Sequence, residues 1–338
     1  MSYAFIAADP GGDERLPCIR LYPYRFPPEP VIPHASFPAE AIMLRFIRHA
    51  LPVLALACAT AVHAQTPAPA SAPPTAMTAQ QIAVGNQPWL VETASAGNGR
   101  FTVIFESGFG TGLNAWRKVA PEVARVAQVL SYSRAGHGKS EPRPEPRTIA
   151  QNTLELEQLI AASRLAPPYI LVGHSYGGLL ARSFAARNPD KVAGMVLVDP
   201  SDERFNPALR KLDAERAAAD DRAFAAIVPA KFQPELKLLQ PVLDSGVLPL
   251  GGKLPDVPTI VLTSVRQADK PEFFLETPEA VAIKRDLHAD FVRQFSAGSQ
   301  VVTAKSGHNI QLEEPELVIE AVNKVMAAAE AKAARDSR

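Results

Sequence analysis

A serine with a glycine two residues to either side, Ser175 in Leu171-Val-Gly-His-Ser-Tyr-Gly-Gly178, is the position in this chain best suited to nucleophilic chemistry. In a strand-to-helix turn such a serine is lifted clear of the sheet, and the glycines remove side chains where strand and helix come too close for a Cβ. A serine hydroxyl attacks only when a base takes its proton, and imidazole has the basicity to do this near neutral pH. Of seven histidines, His34, His49 and His63 fall in the leader region described below, which leaves His137, His174, His288 and His308. His308, in the small-residue run Ser306-Gly-His-Asn309, follows the last strand-like segment and is the expected base; the chain order serine, acid, histidine also requires a late histidine. His174 adjoins the serine on the side that faces the sheet, which suits a structural role. His137 falls in a glycine-rich loop and His288 in a helical segment.

An acid must fix the imidazole tautomer and stabilise the imidazolium. Asp199 stands one helix and one strand beyond Ser175, at the end of Val192-Ala-Gly-Met-Val-Leu-Val198, and is the preferred acid. Asp269, beyond the strand-like Thr259 to Thr263, is the alternative and needs a longer loop to reach the site. Acyl transfer also calls for N–H donors at the developing oxyanion. These are expected from Tyr176, directly after the serine, and from Phe109 in the loop Ser107-Gly-Phe-Gly-Thr-Gly112. That loop is not a phosphate cradle, since it has neither a GxGxxG pattern after a strand nor a GK[ST] ending.

The elements that must position these residues alternate. Strand-like Pro88 to Glu92 and Phe101 to Glu106 flank the turn signal Gly97-Asn-Gly99. They are followed by helix-like Asn114 to Arg125, strand-like Ala127 to Tyr132, helix-like Ile149 to Leu165, the strand and helix around Ser175, and the buried runs 192–198 and 259–263. Thr277 to Phe295 reads as helix, Gln300 to Thr303 as strand and Pro315 to Ala334 as helix. Strands alternating with helices imply a mostly parallel, doubly wound α/β sheet. About 60 residues separate the strands ending at Val198 and starting at Thr259, more than a crossover needs. They include a charged helical stretch, Leu209 to Ala226, and the apolar Phe232 to Leu250. We expect a helical cap here, at about residues 201–256, inserted after the sixth strand over the carboxyl ends of the sheet.

Outside this domain the chain changes character. Residues 1–42 are proline-rich and aperiodic, and are expected to be a disordered or non-native extension. From Met43 a basic start, an apolar run and the small-residue site Val62-His-Ala64 make a secretory signal peptide at 43–64, so Met43 is the expected start and the protein is expected to be exported, periplasmic or secreted. The apolar run, broken by Pro52, is too short to span a membrane. Residues 65–86, rich in Pro, Ala, Ser and Thr, read as a disordered linker, leaving 87–338 as the folded domain. Both cysteines, Cys18 and Cys58, precede Ala64, so no disulfide framework or cysteine metal site is expected in the domain. A net charge of +0 without a basic cluster argues against nucleic acid as a partner.

Five ordered stretches resemble the α/β-hydrolase superfamily from about Pro88 to Met326. These are Ser107-Gly-Phe-Gly110 in place of the family's HGxG, Ser133-Arg-Ala-Gly-His-Gly-Lys-Ser140 like its DRxGxGxS turn, Gly-His-Ser-Tyr-Gly-Gly178, Val198-Asp-Pro200, and Ser306-Gly-His308 before a terminal helix. Glu106-Ser107 stands where the family has the His of HGxG. The resemblance implies the corresponding fold and a serine hydrolase, most simply a carboxylic ester hydrolase with Ser175, His308 and Asp199 as its triad. It implies a small ester or amide substrate and no cofactor. A serine at this position excludes relatives that attack with aspartate. Peptidase, amidase, thioesterase and cofactor-free haloperoxidase activities share the same constellation, and some relatives use the pocket only to bind.

Overall fold

Eight strands form one sheet in the order β1-β2-β4-β3-β5-β6-β7-β8. They are β1 (Thr78–Val84), β2 (Trp89–Ala96), β3 (Thr102–Glu106), β4 (Gln128–Tyr132), β5 (Tyr169–His174), β6 (Val192–Val198), β7 (Thr259–Ser264) and β8 (Gly298–Thr303). The computed structural model describes residues 75–86 and 88–337. The expected extension at 1–42, the signal peptide at 43–64, both cysteines and the first part of the linker, 65–74, lie outside the described residues. From β4 to β8 every pairing is parallel, while β1 and β2 run antiparallel at one edge. The central strands read as unbroken apolar runs because helices cover both of their faces, as parallel sheets require.

The helices are α1 (Ala120–Val123), α2 (Ile149–Ser163), α3 (Tyr176–Arg187), α4 (Phe205–Leu212), α5 (Ala214–Ile227), α6 (Gln233–Ser245), α7 (Pro278–Val292), α8 (Ile310–Glu313) and α9 (Pro315–Asp336). On one face, α9 lays Val318, Ala321, Val322, Val325 and Met326 at helical spacing against Val172, Val196 and Ile260, with Trp116 and Val123 beside them. On the other, Leu156 and Leu159 of α2, Phe184 of α3 and Phe291 of α7 pack on Ile104, Leu171, Leu197 and Val261. Local chemistry sets the ends of these helices: the Thr148 side chain accepts from the Gln151 N–H at the start of α2, and Thr277 does the same for Ala280 ahead of Pro278 in α7.

Several local readings change. Residues 78–84, expected in the linker, form the edge strand β1, because Ile82 and Val84 pack on the core while the polar Gln80 and Gln81 face out. The domain therefore begins before residue 87. The turn expected at Gly97 is present, with φ 78°, and β4 lies between the two strands that flank it, β2 and β3. Asn114 to Arg125 is a 3₁₀ turn, Leu113–Trp116, followed by the short α1. The charged stretch expected as one helix breaks at Asp213, which caps α5 by accepting from Arg216 N.

α4, α5 and α6 fill the interval between β6 and β7. Leu239 of α6 and Leu248 beyond it pack on Tyr176, Leu179 and Leu180 of α3, while Leu209 and Ala217 pack on Phe274, in the turn before α7, and on Ala280 in its first turn. α3 in turn begins so near β3 that a Cβ on Gly177 would stand 2.2 Å from the Glu106 carbonyl oxygen. Backbone on both sides leaves no room to relax, so Gly177→Ala should cost about 1–3 kcal/mol of stability, read as a lower urea midpoint. An unchanged midpoint would contradict this packing.

Candidate active site

Parallel register brings the carboxyl ends of four strands into line: Glu106 faces Gly173, His174 faces Val198, and Val198 faces Leu262. Immediately beyond those ends stand Ser175 and Asp199. Both hold positive φ, 53° and 39°, and the only other non-glycine residue to do so among the described residues is Arg164 at the end of α2. Such backbone persists only where the surroundings over-determine it. Here main-chain bonds do so: Ser175 N donates to Val198 O at 3.1 Å, Asp199 N to Leu262 O at 2.7 Å, and Ser201 N to Ser175 O at 3.0 Å.

His308 arrives from the loop after β8, and its Nδ1 lies 2.7 Å from Asp199 Oδ2. A carboxylate only accepts, so Nδ1 carries the proton and Nε2 is left as the basic nitrogen. Asp269, the alternative acid, is exposed in the loop after β7. Among the bonds that hold the His308 loop, Ser264 Oγ donates to Ser306 O at 2.8 Å, and His174 Nε2 donates to His308 O at 3.0 Å. The His174 ring lies 4.6 Å from that of His308. Burial, with His308 beside it, lowers the His174 pKa to about 3, so it remains a neutral brace. The sequence suggested a structural role for His174 but not its partner.

Asp199 is completely buried. Besides His308, it accepts from Ser264 N at 3.0 Å and from Lys284 Nζ of α7, 2.9 Å from Oδ1 and 3.0 Å from Oδ2. Burial alone would push its carboxyl up, but the Lys284 ammonium and the His308 hydrogen bond outweigh this and hold it well below the usual carboxylate range. Lys284 carries no sequence signal, since its partner lies far away along the chain.

The loop 107–112 packs directly on the serine turn. A Cβ on Gly108 would stand 2.9 Å from His174 Nδ1 and 3.5 Å from Ser175 Cβ, so only glycine allows this approach. Arg134, from the loop after β4, donates to the carbonyls of Ser107 at 2.6 Å and Gly108 at 2.7 Å, and to Glu106 Oε1 at 2.7 Å. The Tyr132 hydroxyl donates to the other Glu106 oxygen. Burial lifts the Glu106 carboxyl above its ordinary value, with Arg134 opposing it. With its carbonyls turned to Arg134, the loop leaves the Phe109 N–H without a protein acceptor among the described residues, and the Tyr176 N–H has none either. Glu106, Arg134 and Lys284 are the supporting residues that sequence reasoning missed. Glu106 and the Ser133–Ser140 turn were visible as patterns, but not their contact.

The residues between β6 and β7 reach this same place. Phe109 meets Phe232 at 6.0 Å, Phe224 at 6.4 Å and Tyr176 at 6.2 Å between ring centres. Glu235 of α6, 2% exposed, accepts from Asn152 of α2 at 3.0 Å, and Asn152 also donates to the Tyr176 hydroxyl at 2.8 Å.

A family model described as alpha/beta hydrolase fold matches residues 102–239, which span β3, the loop 107–112, the turn at Ser175 and β6. The chain has the α/β-hydrolase fold. Among similar proteins, the uncharacterized protein YqjL of Bacillus subtilis (strain 168) is 29% identical over 244 residues, covering 69% of this chain and 86% of YqjL. The human (lyso)-N-acylphosphatidylethanolamine lipase is 30% identical over 118 residues, covering 34% of each chain. Of solved structures, epoxide hydrolase CorEH superposes with a TM-score of 0.53 at 16% identity over 75% of this chain and 99% of that one. The CarC serine hydrolase involved in carbazole degradation gives 0.51 at 18% identity over the same shares. At such identities these two structures establish the fold alone.

Two outcomes follow. His137, His174 and His288 are buried, and burial lowers their pKa values to about 3, 3 and 4 from 6.5. The unfolded chain therefore binds more protons below pH 6.5, and stability is full above that pH and lost as it falls toward 3, by up to about 1.4 kcal/mol per pH unit for each histidine. Urea midpoints at pH 7.5 and 5.5 should differ clearly, and equal midpoints would contradict the burial. Glu106→Gln, which leaves the Arg134 cation buried without its counter-charge, should lose about 3–5 kcal/mol in the same assay.

Proposed function

We propose that this protein hydrolyses carboxylic esters through an acyl-enzyme, with Ser175 as nucleophile, His308 as general base and Asp199 as the acid. The reading rests on one observation above all: the 2.7 Å contact of His308 Nδ1 with a buried Asp199 carboxylate, on the same strand ends as a serine held at φ 53°. In this mechanism Ser175 Oγ attacks the ester carbonyl carbon while His308 Nε2 takes the hydroxyl proton. The imidazolium then gives that proton to the departing alkoxide as the C–O bond breaks. Water, deprotonated by the same nitrogen, attacks the acyl-serine, and the proton returns to Ser175 as the acid leaves. The N–H groups of Phe109 and Tyr176 are the proposed oxyanion donors, supported by their lack of other acceptors among the described residues.

The segment 201–256 acts in this reading as a cap. What supports it is the aromatic contact of Phe224 and Phe232 with Phe109, the residue proposed to hold the oxyanion. Those rings also favour an acyl or aromatic substrate over a charged one. An amide or peptide bond would be cleaved by the same groups, and the assay below includes one.

Short- and long-chain p-nitrophenyl esters, a p-nitroanilide and a serine-reactive fluorophosphonate, offered to the parent protein and to Ser175→Ala, test the reading. We expect ester turnover and labelling by the parent, and a loss of roughly four orders of magnitude in Ser175→Ala. Asp199→Asn should lose about 10³- to 10⁴-fold and Asp269→Asn almost nothing. Turnover that survives Ser175→Ala would refute the mechanism. Labelling without turnover of any ester would favour a binding protein.

A further inference from the structure

The Asp199 carboxylate has a partner that serine–histidine–acid chemistry does not require. Lys284 Nζ bridges both of its oxygens, at 2.9 and 3.0 Å, and shares Oδ2 with His308 Nδ1. Its side chain is 13% exposed and lines a cavity of about 140 Å³ together with His308, Phe205, Leu275 and Val281. One turn further along α7, His288 Nε2 donates to the carbonyl of Pro200 at 3.0 Å, and Thr263 Oγ1 meets its Nδ1 at 2.9 Å. A single helical face, Lys284 and His288 at i and i+4, therefore grips both the acid and the residue after it.

We propose that Lys284 is a positioning residue for the acid–base pair: its ammonium fixes the Asp199 carboxylate and offsets its charge, so that His308 works against a neutralised pair instead of a bare anion. The proposal rests on the assignment of His308 as base. A carboxylate beside an imidazole favours the imidazolium, and a cation on that carboxylate opposes it. Lys284 would thus hold the base in its proton-accepting form down to lower pH, while keeping the carboxylate from turning away from Nδ1.

Other charged and titratable groups face the pair from every side. His174 of β5 and His288 of α7 stay neutral through burial. Asp202, in the loop after β6, pairs with Arg204, and Arg266, beyond β7, pairs with Glu313 of α8 at 2.6 Å. All of these are retained in the variants below.

The test is the pH profile of kcat/KM for a p-nitrophenyl ester in the parent, Lys284→Met, Lys284→Gln and Lys284→Arg. Met removes charge and donor, Gln retains a donor without charge, and Arg retains both. Removing the charge should move the acid limb up by about one pH unit in both Met and Gln, and Arg should bring it back to the parent position. An acid limb that stays put in both neutral variants overturns the proposal, even if the plateau falls. The imidazole titration of His308, followed by NMR in Ser175→Ala with and without Lys284→Gln, reads the same effect without turnover. The midpoint should rise by about one pH unit when the lysine is replaced, and no rise overturns the proposal. This arm separates failure of the lysine's role from failure of the ester-hydrolase reading, which Ser175→Ala and the substrate panel decide.

Discussion

A fully buried carboxylate is the constraint around which this molecule is arranged. Taking an anion out of water costs several kcal/mol unless donors surround it, and Asp199 obtains its donors from three separate elements: the Ser264 N–H at the end of β7, the Lys284 ammonium of α7 and the His308 imidazole beyond β8. Each donor ties another part of the chain to the end of β6. Asp199's own backbone, at φ 39°, is held by Leu262, and Ser175's by Val198. The strand ends are thus laced sideways as well as along the sheet, and the loop carrying His308 has little freedom to leave.

A second buried charge pair does similar work on the opposite side of Ser175. Glu106, at the end of β3, pairs with Arg134, which in turn draws in two loop carbonyls. Orienting carbonyls toward a guanidinium turns the intervening N–H groups the other way. Trp116 Nε1 donates to Ser107 Oγ, and Ser107 Oγ donates to Gly112 O, pinning the loop at its two ends. Pairs of this kind contribute little net stability compared with apolar replacements; their value lies in geometry.

What the sequence revealed and what it concealed divide along a physical line. Chain order, the glycines around Ser175, the apolar central runs and the late histidine are local patterns, and local patterns are written in neighbouring residues. The parallel sheet and the interruption after β6 were readable for the same reason. Lys284 was invisible because nothing nearby in sequence distinguishes it from other lysines on a helix surface; only topology brings α7 over the end of β6. The neighbours of β2 were not legible because a glycine turn announces a reversal without saying which strand will lie alongside. β1 was missed because its composition, Thr-Ala-Gln-Gln-Ile-Ala-Val, resembles the polar leader before it, and only Ile82 and Val84 turn inward.

That edge strand has a practical meaning for anyone producing the domain. β1 pairs along its whole length with β2, from Thr78 opposite Ser95 to Val84 opposite Trp89, and it presents mostly polar side chains to solvent. A polypeptide begun at residue 88 would strip this cover and leave the backbone donors and acceptors of β2 open, with Trp89 and Val91 beside them. An open strand of that kind is a template for pairing with another copy. The seven residues that look like the end of a tether are what cover the backbone of β2.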